Sequence, residues 1–183
     1  MDLRVKKTKS AIINAFLQLR AKKPLERITV KELSDLAEIN KATFYLHYMD
    51  IYDLSKTLEN ELLDDVFSGL CHPDTVFSEP KLFIRELTDG LVSNQSLIDI
   101  IFSNDRRGIF VDRLETKIRA FLFENYPHLW DNPQTDFLLS YLIKGGYYAF
   151  VDNTKYNTAD RCEMVSEMAE CLTNNFFNKP NEN

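Results

Sequence analysis

The chain has 183 residues, of which 44% are hydrophobic, and it contains only 5 glycines and 6 prolines. This composition is typical of a globular protein with a packed core and excludes long stretches rich in glycine or proline. No run of about 18 apolar residues is present, so we expect no transmembrane helix. The basic start MDLRVKKTKS has no apolar segment behind it, so we expect no secretory signal. Three cysteines at no metal-like spacing favour free thiols in a reducing cytoplasm.

The net charge of −6 is unevenly distributed along the chain. Residues 1–56 carry 11 lysines and arginines against 7 aspartates and glutamates, whereas residues 57–183 carry 11 against 21. A basic head on an acidic body indicates that only the head meets a polyanion.

The first predicted element is an amphipathic helix over residues 4–22. Ile12, Phe16 and Leu19 recur at helical spacing and define its apolar stripe. Basic residues crowd its first turns, where they oppose the helix macrodipole and are either solvated or favoured by an external anion; they are Arg4, Lys6, Lys7 and Lys9.

Two short helices are predicted next. Thr29 and Glu32 form a capping box, which predicts a helix of about two turns that begins at Val30. Asn40 is a good N-cap for a second short helix with the sequence KATFYLHY. Asp50 then caps a longer helix. Two short helices separated by about three residues, with a longer helix on either side, are the layout of a helix-turn-helix.

The second short helix has one face that suits the major groove of DNA. Phe44 and Tyr48 are four residues apart, so they share a side that we assign to the core. The residues left outward are Lys41, Ala42, Thr43, Tyr45 and Leu46. Lysine donates to guanine or phosphate, and the alanine and threonine methyl groups can meet a thymine methyl.

Further residues are expected at the DNA backbone rather than at the bases. Tyr45 and His47 can donate hydrogen bonds to phosphate oxygens, which sets the register of binding without reading sequence. Thr29 and Lys31 stand at the start of the preceding helix, where the terminal amides also favour phosphate.

The stretch ITVKELSDLAEINKATFYLHYMDIYDL resembles the DNA-binding domain of the TetR/AcrR family of bacterial regulators, and the resemblance covers about residues 5–56. It implies an all-α fold with a helix-turn-helix domain over residues 1–49 and a helical ligand-binding and dimerisation domain over residues 50–183. It also implies a homodimeric transcriptional regulator, most often a repressor, that binds a double-stranded DNA operator and is released by a small-molecule inducer. By position it implies DNA contacts at Thr29, Lys41, Ala42, Thr43, Tyr45, His47 and Tyr48, with Tyr48 the nearest to the core.

Two positions depart from the family pattern. Glu38 stands where the turn usually has glycine; if that site needs a positive φ, glutamate is strained by roughly 1 kcal/mol. We expect instead that the turn differs slightly. The stretch Met49-Asp50-Ile51 lacks the lysine that usually follows at the head of the fourth helix. We therefore expect one phosphate contact fewer and a shallower salt dependence of binding.

The remainder is predicted as helices near residues 80–93, 95–103, 106–126, 134–151 and 158–177. The segment QTDFLLSYLIKGGYYAFV is apolar on more than one face, which predicts burial in a core or an interface. Its two glycines, at 145 and 146, permit close backbone approach or merely weaken the helix. The last helix has an apolar stripe of Met164, Val165, Met168, Ala169 and Leu172. Two such helices suit a two-fold four-helix interface.

The aromatic residues of the second domain are candidates to line an inducer pocket, although most of them are expected to be core. We select Phe102, Tyr141 and Tyr148.

The sequence also bears on three other functions. The three histidines lie in separate segments, and no HExxH, phosphate-binding loop or serine nucleophile motif is present, so we expect no catalytic residue and no enzyme. A metal sensor could use Cys71, His72, Cys162 and Cys171. Because nine residues separate the last two, they point to opposite sides of a helix, and we expect no metal and no cofactor. A regulator or co-activator controlled by a protein partner also remains open.

Overall fold

The computed structural model describes residues 3–70, 72, 75–103 and 106–177, and over these residues the chain is helical without a strand. The described residues form ten α-helices: α1 Leu3–Arg20, α2 Val30–Leu36, α3 Lys41–Tyr45, α4 Ile51–Ser68, α5 Pro80–Ser93, α6 Gln95–Ile101, α7 Arg107–Asn125, α8 Pro133–Ser140, α9 Gly146–Asp152 and α10 Thr158–Phe177. Short 3₁₀ turns occupy Leu25–Arg27 and Pro127–Leu129, and a π-helical segment, Tyr141–Gly145, joins α8 to α9. The predicted all-α fold is confirmed.

Local sequence signals account for several helix starts. Pro80 and Pro133 stand at the first positions of α5 and α8, where a missing N–H costs nothing. The Asn132 side chain accepts a hydrogen bond from the backbone N–H of Gln134 at 2.9 Å and so caps α8. The Asp50 carboxylate accepts from the N–H of Asp53 at 2.8 Å at the start of α4, as predicted.

The chain divides into two compact units. Unit 1 comprises Met1–Leu62 and Gln95–Arg107, and unit 2 comprises Leu63–Asn94 and Gly108–Asn183. This grouping differs from the boundary expected at residues 49 and 50, because the first two thirds of α4 and the whole of α6 belong to the unit that contains α2 and α3.

A buried arginine explains why α6 belongs to unit 1. Arg20, at the end of α1, is almost completely buried, and its guanidinium donates to the carbonyl oxygens of Ile101 at 3.0 Å and Ser103 at 3.4 Å. Ile101 is the last residue of α6, so its carbonyl oxygen has no acceptor role within that helix, and Ser103 follows two residues later. Burial and the nearby charge of Arg106 lower the pKa of Arg20. Arg20 therefore ties the end of α6 to α1.

An ion pair on a buried glutamate supports the same arrangement. Glu59 in α4 is buried and accepts hydrogen bonds from Ser55 and from Arg106, each at 2.7 Å. Arg106 directly precedes α7. Because 47 residues separate it from Glu59, no local sequence pattern could predict this pair. The apolar core of unit 1 surrounds these groups and includes Ile12, Phe16, Leu33, Phe44, Leu54, Leu58, Ile98 and Phe102.

In unit 2, α10 packs along α5 and against α8 and α9. Gly90 of α5 is required by close packing, because a Cβ atom there would lie 2.8 Å from the carbonyl oxygen of Val66 in α4. The glycines singled out from sequence are less constrained: nothing lies within 4 Å of a Cβ at Gly145, and a Cβ at Gly146 would make an ordinary contact at 3.4 Å with Val165.

Candidate nucleic-acid interface

The interface is built on two short helices whose N-termini are capped as the sequence predicts. The Thr29 hydroxyl accepts from the N–H of Glu32 at 3.2 Å, which confirms the cap of α2. The reciprocal half of the capping box is replaced by an ion pair, since the Glu32 carboxylate accepts from Lys23. The Asn40 side-chain oxygen accepts from the N–H of Thr43 at 2.7 Å and caps α3.

The turn between α2 and α3 keeps the backbone geometry that usually requires glycine. Glu38 has φ of 55°, in the left-handed region. The N–H of Ile39 bonds the carbonyl oxygen of Ser34 at 3.0 Å, and the N–H of Glu38 bonds that of Asp35 at 3.4 Å. These two bonds are the Schellman motif that ends a helix on a left-handed residue. The expectation of a different turn is therefore wrong, and glutamate occupies the strained position.

The faces of α3 lie as predicted. Phe44 and Tyr48 are buried, whereas Lys41, Ala42, Tyr45 and Leu46 are exposed. Thr43 is half-buried, and its hydroxyl donates to Asn40 at 2.9 Å. The outward set of α3 is thus lysine, alanine, tyrosine and leucine, with threonine at its margin.

The other predicted contact residues divide between the surface and the core. Thr29 and Lys31 are exposed at the start of α2, and His47 is half-buried. Tyr48 is buried, and burial, together with the charges of Glu61 and Asp53, raises the pKa of its hydroxyl. Tyr48 is therefore placed to pack beneath α3, beside Phe44 at a ring-centroid distance of 5.9 Å.

Unpaired lysines distinguish unit 1 from unit 2. Of the lysines that the structure describes in unit 1, only Lys23 forms an ion pair, and the remainder have none: Lys6, Lys7, Lys9, Lys22, Lys31, Lys41 and Lys56. In unit 2, by contrast, three of the four described lysines, Lys81, Lys117 and Lys144, are each paired with a carboxylate, and Lys155 lies over the ring of Tyr156. These seven unpaired lysines of unit 1 are thus available to an external anion.

The head of α4 carries a carboxylate pair in place of the lysine of the family pattern. Asp50 caps Asp53, and the Asp53 carboxylate accepts from the N–H of Met49 at 2.9 Å. The Asp50 carboxylate satisfies one terminal amide of α4, and the Asp53 carboxylate satisfies the amide of Met49 just before the helix, so neither amide is open to a phosphate.

The residues selected for an inducer pocket are distributed over the two units. Phe102 is buried in unit 1, whereas Tyr141 and Tyr148 are exposed in unit 2. A cleft of about 500 Å³ lies elsewhere in unit 2, and none of the three residues lines it; its lining is Thr116, Arg119, Ala120, Phe123, Trp130, Asp131 and Asp136.

Among the residues that the structure describes, the candidate metal ligands do not form a cluster. Among the described residues, no group of three or more histidine, cysteine, aspartate or glutamate side chains could hold an ion. Cys171 is an exposed thiol, and burial raises the pKa of the half-buried Cys162 thiol. His72 bonds Glu86 at 2.7 Å, and Cys71 lies outside the described residues.

No helix in the described parts of the chain combines the length and the apolar character needed to cross a lipid bilayer. Neither any protein-family model nor any curated protein matches the chain. The assignment of a nucleic-acid interface to α2 and α3 therefore rests on the sequence pattern and on the geometry of these two helices alone.

Proposed function

We propose that the protein is a sequence-specific DNA-binding regulator of transcription, of the kind that the resemblance to the TetR/AcrR family implies. The observation that carries the proposal is the orientation of α3. Phe44 and Tyr48 anchor this helix in the core, and its opposite face presents Lys41, Ala42 and Tyr45 to solvent. A short helix exposed in this way can enter the major groove, where base edges are read.

The charge of unit 1 supports the same proposal. Lysines without a carboxylate partner lie on α1, on the turn after it, and at the starts of α2 and α3. DNA phosphates would pair with these cations and release their own counterions, which makes binding strongly dependent on salt. We propose a binding role and no catalytic one.

We further propose that the protein acts as a homodimer and as a repressor released by a small molecule. Each recognition helix reads only a few base pairs, so two half-sites and a two-fold dimer are needed for specificity. We assign the open cleft beside Trp130, of about 500 Å³, as the candidate site for this small molecule.

The proposal is tested by binding of the purified protein to genomic fragments, including its own promoter, in a salt series with competitor DNA. We expect a saturable footprint over two half-sites and an affinity that falls steeply with salt. If no fragment is preferred over competitor at any salt concentration, the DNA-binding proposal fails, and a protein partner becomes the better candidate for control of this regulator.

Substitution of Tyr45 tests the orientation of α3. Tyr45→Ala should reduce specific binding at least about tenfold, because an exposed aromatic on the recognition face loses its DNA contact. The fold should be unchanged, since the side chain is 56% exposed. Tyr156→Ala is the matched control, since Tyr156 is 53% exposed and belongs to unit 2. Operator binding by Tyr45→Ala at wild-type affinity would show that α3 meets DNA by another face or not at all.

A further inference from the structure

The outward face of α3 is unusually apolar for a surface. Leu46 is 82% exposed, Tyr45 is 56% exposed, and Ala42 beside them is exposed as well. Leu46 directly follows α3 and keeps a helical backbone, with φ of −72° and ψ of −19°. Successive helical residues turn by about 100°, so these three side chains lie within about 100° of arc. They form one contiguous apolar face, which we call the α3 face and define as Ala42, Tyr45 and Leu46.

Apart from the Tyr45 hydroxyl, few hydrogen-bond donors accompany the α3 face. The Thr43 hydroxyl donates to the side-chain oxygen of Asn40, and the same oxygen accepts the Thr43 N–H, so both groups are engaged in capping. The helix carries no arginine or glutamine, the side chains that read guanine or adenine with two hydrogen bonds. Lys41 is the one charged donor on this helix, and it stands at its first residue.

The surroundings of the α3 face favour DNA as what covers it. Lys31 and Lys41, in the first turns of α2 and α3, are exposed and have no ion pair among the described residues, so unpaired positive charge lies on the same two short helices as the apolar face. This combination is complementary to a major groove, in which phosphates border the base edges.

We propose that the α3 face selects its operator through thymine methyl groups, with Leu46 as the main specificity-determining residue; this inference rests on the proposed function. Thymine is the only base that presents a methyl group in the major groove. A side chain that is largely in water in the free protein gains from burial against that methyl. Burial of one methyl group corresponds to about a fourfold gain in affinity.

The test compares thymine with uracil, which differs from it only by the missing methyl. Double-stranded oligonucleotides bound by the intact protein are selected from a random pool, and each thymine of the best duplex is then replaced in turn by deoxyuridine. We expect at least one position in each half-site where the replacement weakens binding about fourfold. Leu46→Ala should weaken binding of the thymine duplex to a similar extent and should show no further loss with the uracil duplex.

Leu97→Ala is the matched control, because Leu97 is a partly exposed leucine of the same unit that lies on α6, outside the two short helices. It should retain full discrimination between thymine and uracil. Equal affinity for thymine and uracil duplexes, or unchanged discrimination by Leu46→Ala, would overturn the inference while leaving DNA binding intact. Absence of any preferred duplex would overturn the inference and the proposed function together.

Discussion

At the scale of single residues, Glu38 is a residue whose type does not suit its backbone conformation. Its φ is 55°, just after the end of α2. The N–H groups of Glu38 and Ile39 both donate to carbonyl oxygens of the last turn of α2. A residue with a Cβ atom pays roughly 1–2 kcal/mol for this conformation. The turn keeps this conformation because these two hydrogen bonds and the packing of α2 against α3 require it. Asp131, with φ of 58°, is the other left-handed residue with a side chain in the described part of the chain.

Glu38→Gly should therefore stabilise the protein. Relief of the left-handed strain exceeds the extra entropy of glycine in the unfolded chain, so we expect the free energy of unfolding to rise by about 0.5–1 kcal/mol. Urea denaturation followed by circular dichroism measures this change.

Glu61→Gly is the control for Glu38→Gly. Glu61 is exposed in the interior of α4, where glycine costs about 1 kcal/mol, so this variant should be less stable than wild type. A loss of stability in Glu38→Gly comparable to that of the control would show that the turn is not strained.

At the scale of elements, a polar cluster joins α7 to the end of α8 and the π-helical segment. The Glu115 carboxylate of α7 accepts from Ser140 at 2.7 Å and from Arg119 at 3.0 Å, and it pairs with Lys144 at 3.1 Å. Arg119 in turn donates to Asp136 of α8 at 2.6 Å. Burial acts to raise the pKa of Glu115, but the hydrogen bonds from Ser140, Lys144 and Arg119 outweigh it and hold the pKa below its ordinary value.

This cluster should make stability depend on pH. Because the folded pKa of Glu115 is lowered, its contribution is fully present above the ordinary glutamate pKa of about 4.3 and is lost as the pH falls through the folded value. Glu115→Gln should lower the free energy of unfolding by about 1–2 kcal/mol at pH 7. The difference from wild type should shrink as the solution is made more acidic than pH 4. Urea denaturation at several pH values measures both effects.

Asp112→Asn is the control for Glu115→Gln, because Asp112 contacts the same Lys144 at 3.4 Å with a carboxylate that is largely exposed. We expect a change within about 0.5 kcal/mol at pH 7. A difference between Glu115→Gln and wild type that does not vary with pH would contradict the assignment to the ionised carboxylate.

At the scale of the whole molecule, the C-terminal helices leave apolar side chains on the surface. The segment from α8 to α9 buries Leu138, Leu139, Ile143 and Phe150 but exposes Phe137, Tyr141 and Tyr148. The stripe predicted on α10 divides in the same way, since Ala169 is buried, whereas Met164 and Met168 are exposed. A helix can be apolar on both sides if one side packs in the core and the other packs against a partner. This surface supports the proposed homodimer.

Substitutions on this surface should weaken the dimer. Phe137→Glu or Met168→Glu places a charge in the proposed interface, and we expect the dimer dissociation constant to rise at least about tenfold. Sedimentation equilibrium measures it, and the loss of the dimer should carry with it the loss of two-half-site DNA binding.

Trp130→Glu is the control for the dimer variants. Trp130 is 68% exposed in the same unit and belongs to neither α8–α9 nor α10, so its variant should assemble as wild type does. A wild-type protein that is monomeric at micromolar concentration would refute the proposed assembly.

The sequence by itself determined the helices and the facing of α3. Caps at Thr29, Asn40 and Asp50 set helix starts through bonds that span two or three residues, and the spacing of Phe44 and Tyr48 set the buried side of α3. Such contacts are local, so a sequence pattern contains all of their partners.

Only the tertiary structure decided how these elements are grouped and where the exceptions lie. Arg20 meets the end of α6 across 81 residues, which assigns α6 to the unit of the two short helices. The exposure of Tyr141 likewise depends on packing neighbours that no local pattern specifies. Contacts between residues distant in sequence carry no periodic signal, because their partners are chosen by packing and by the need to satisfy buried polar groups.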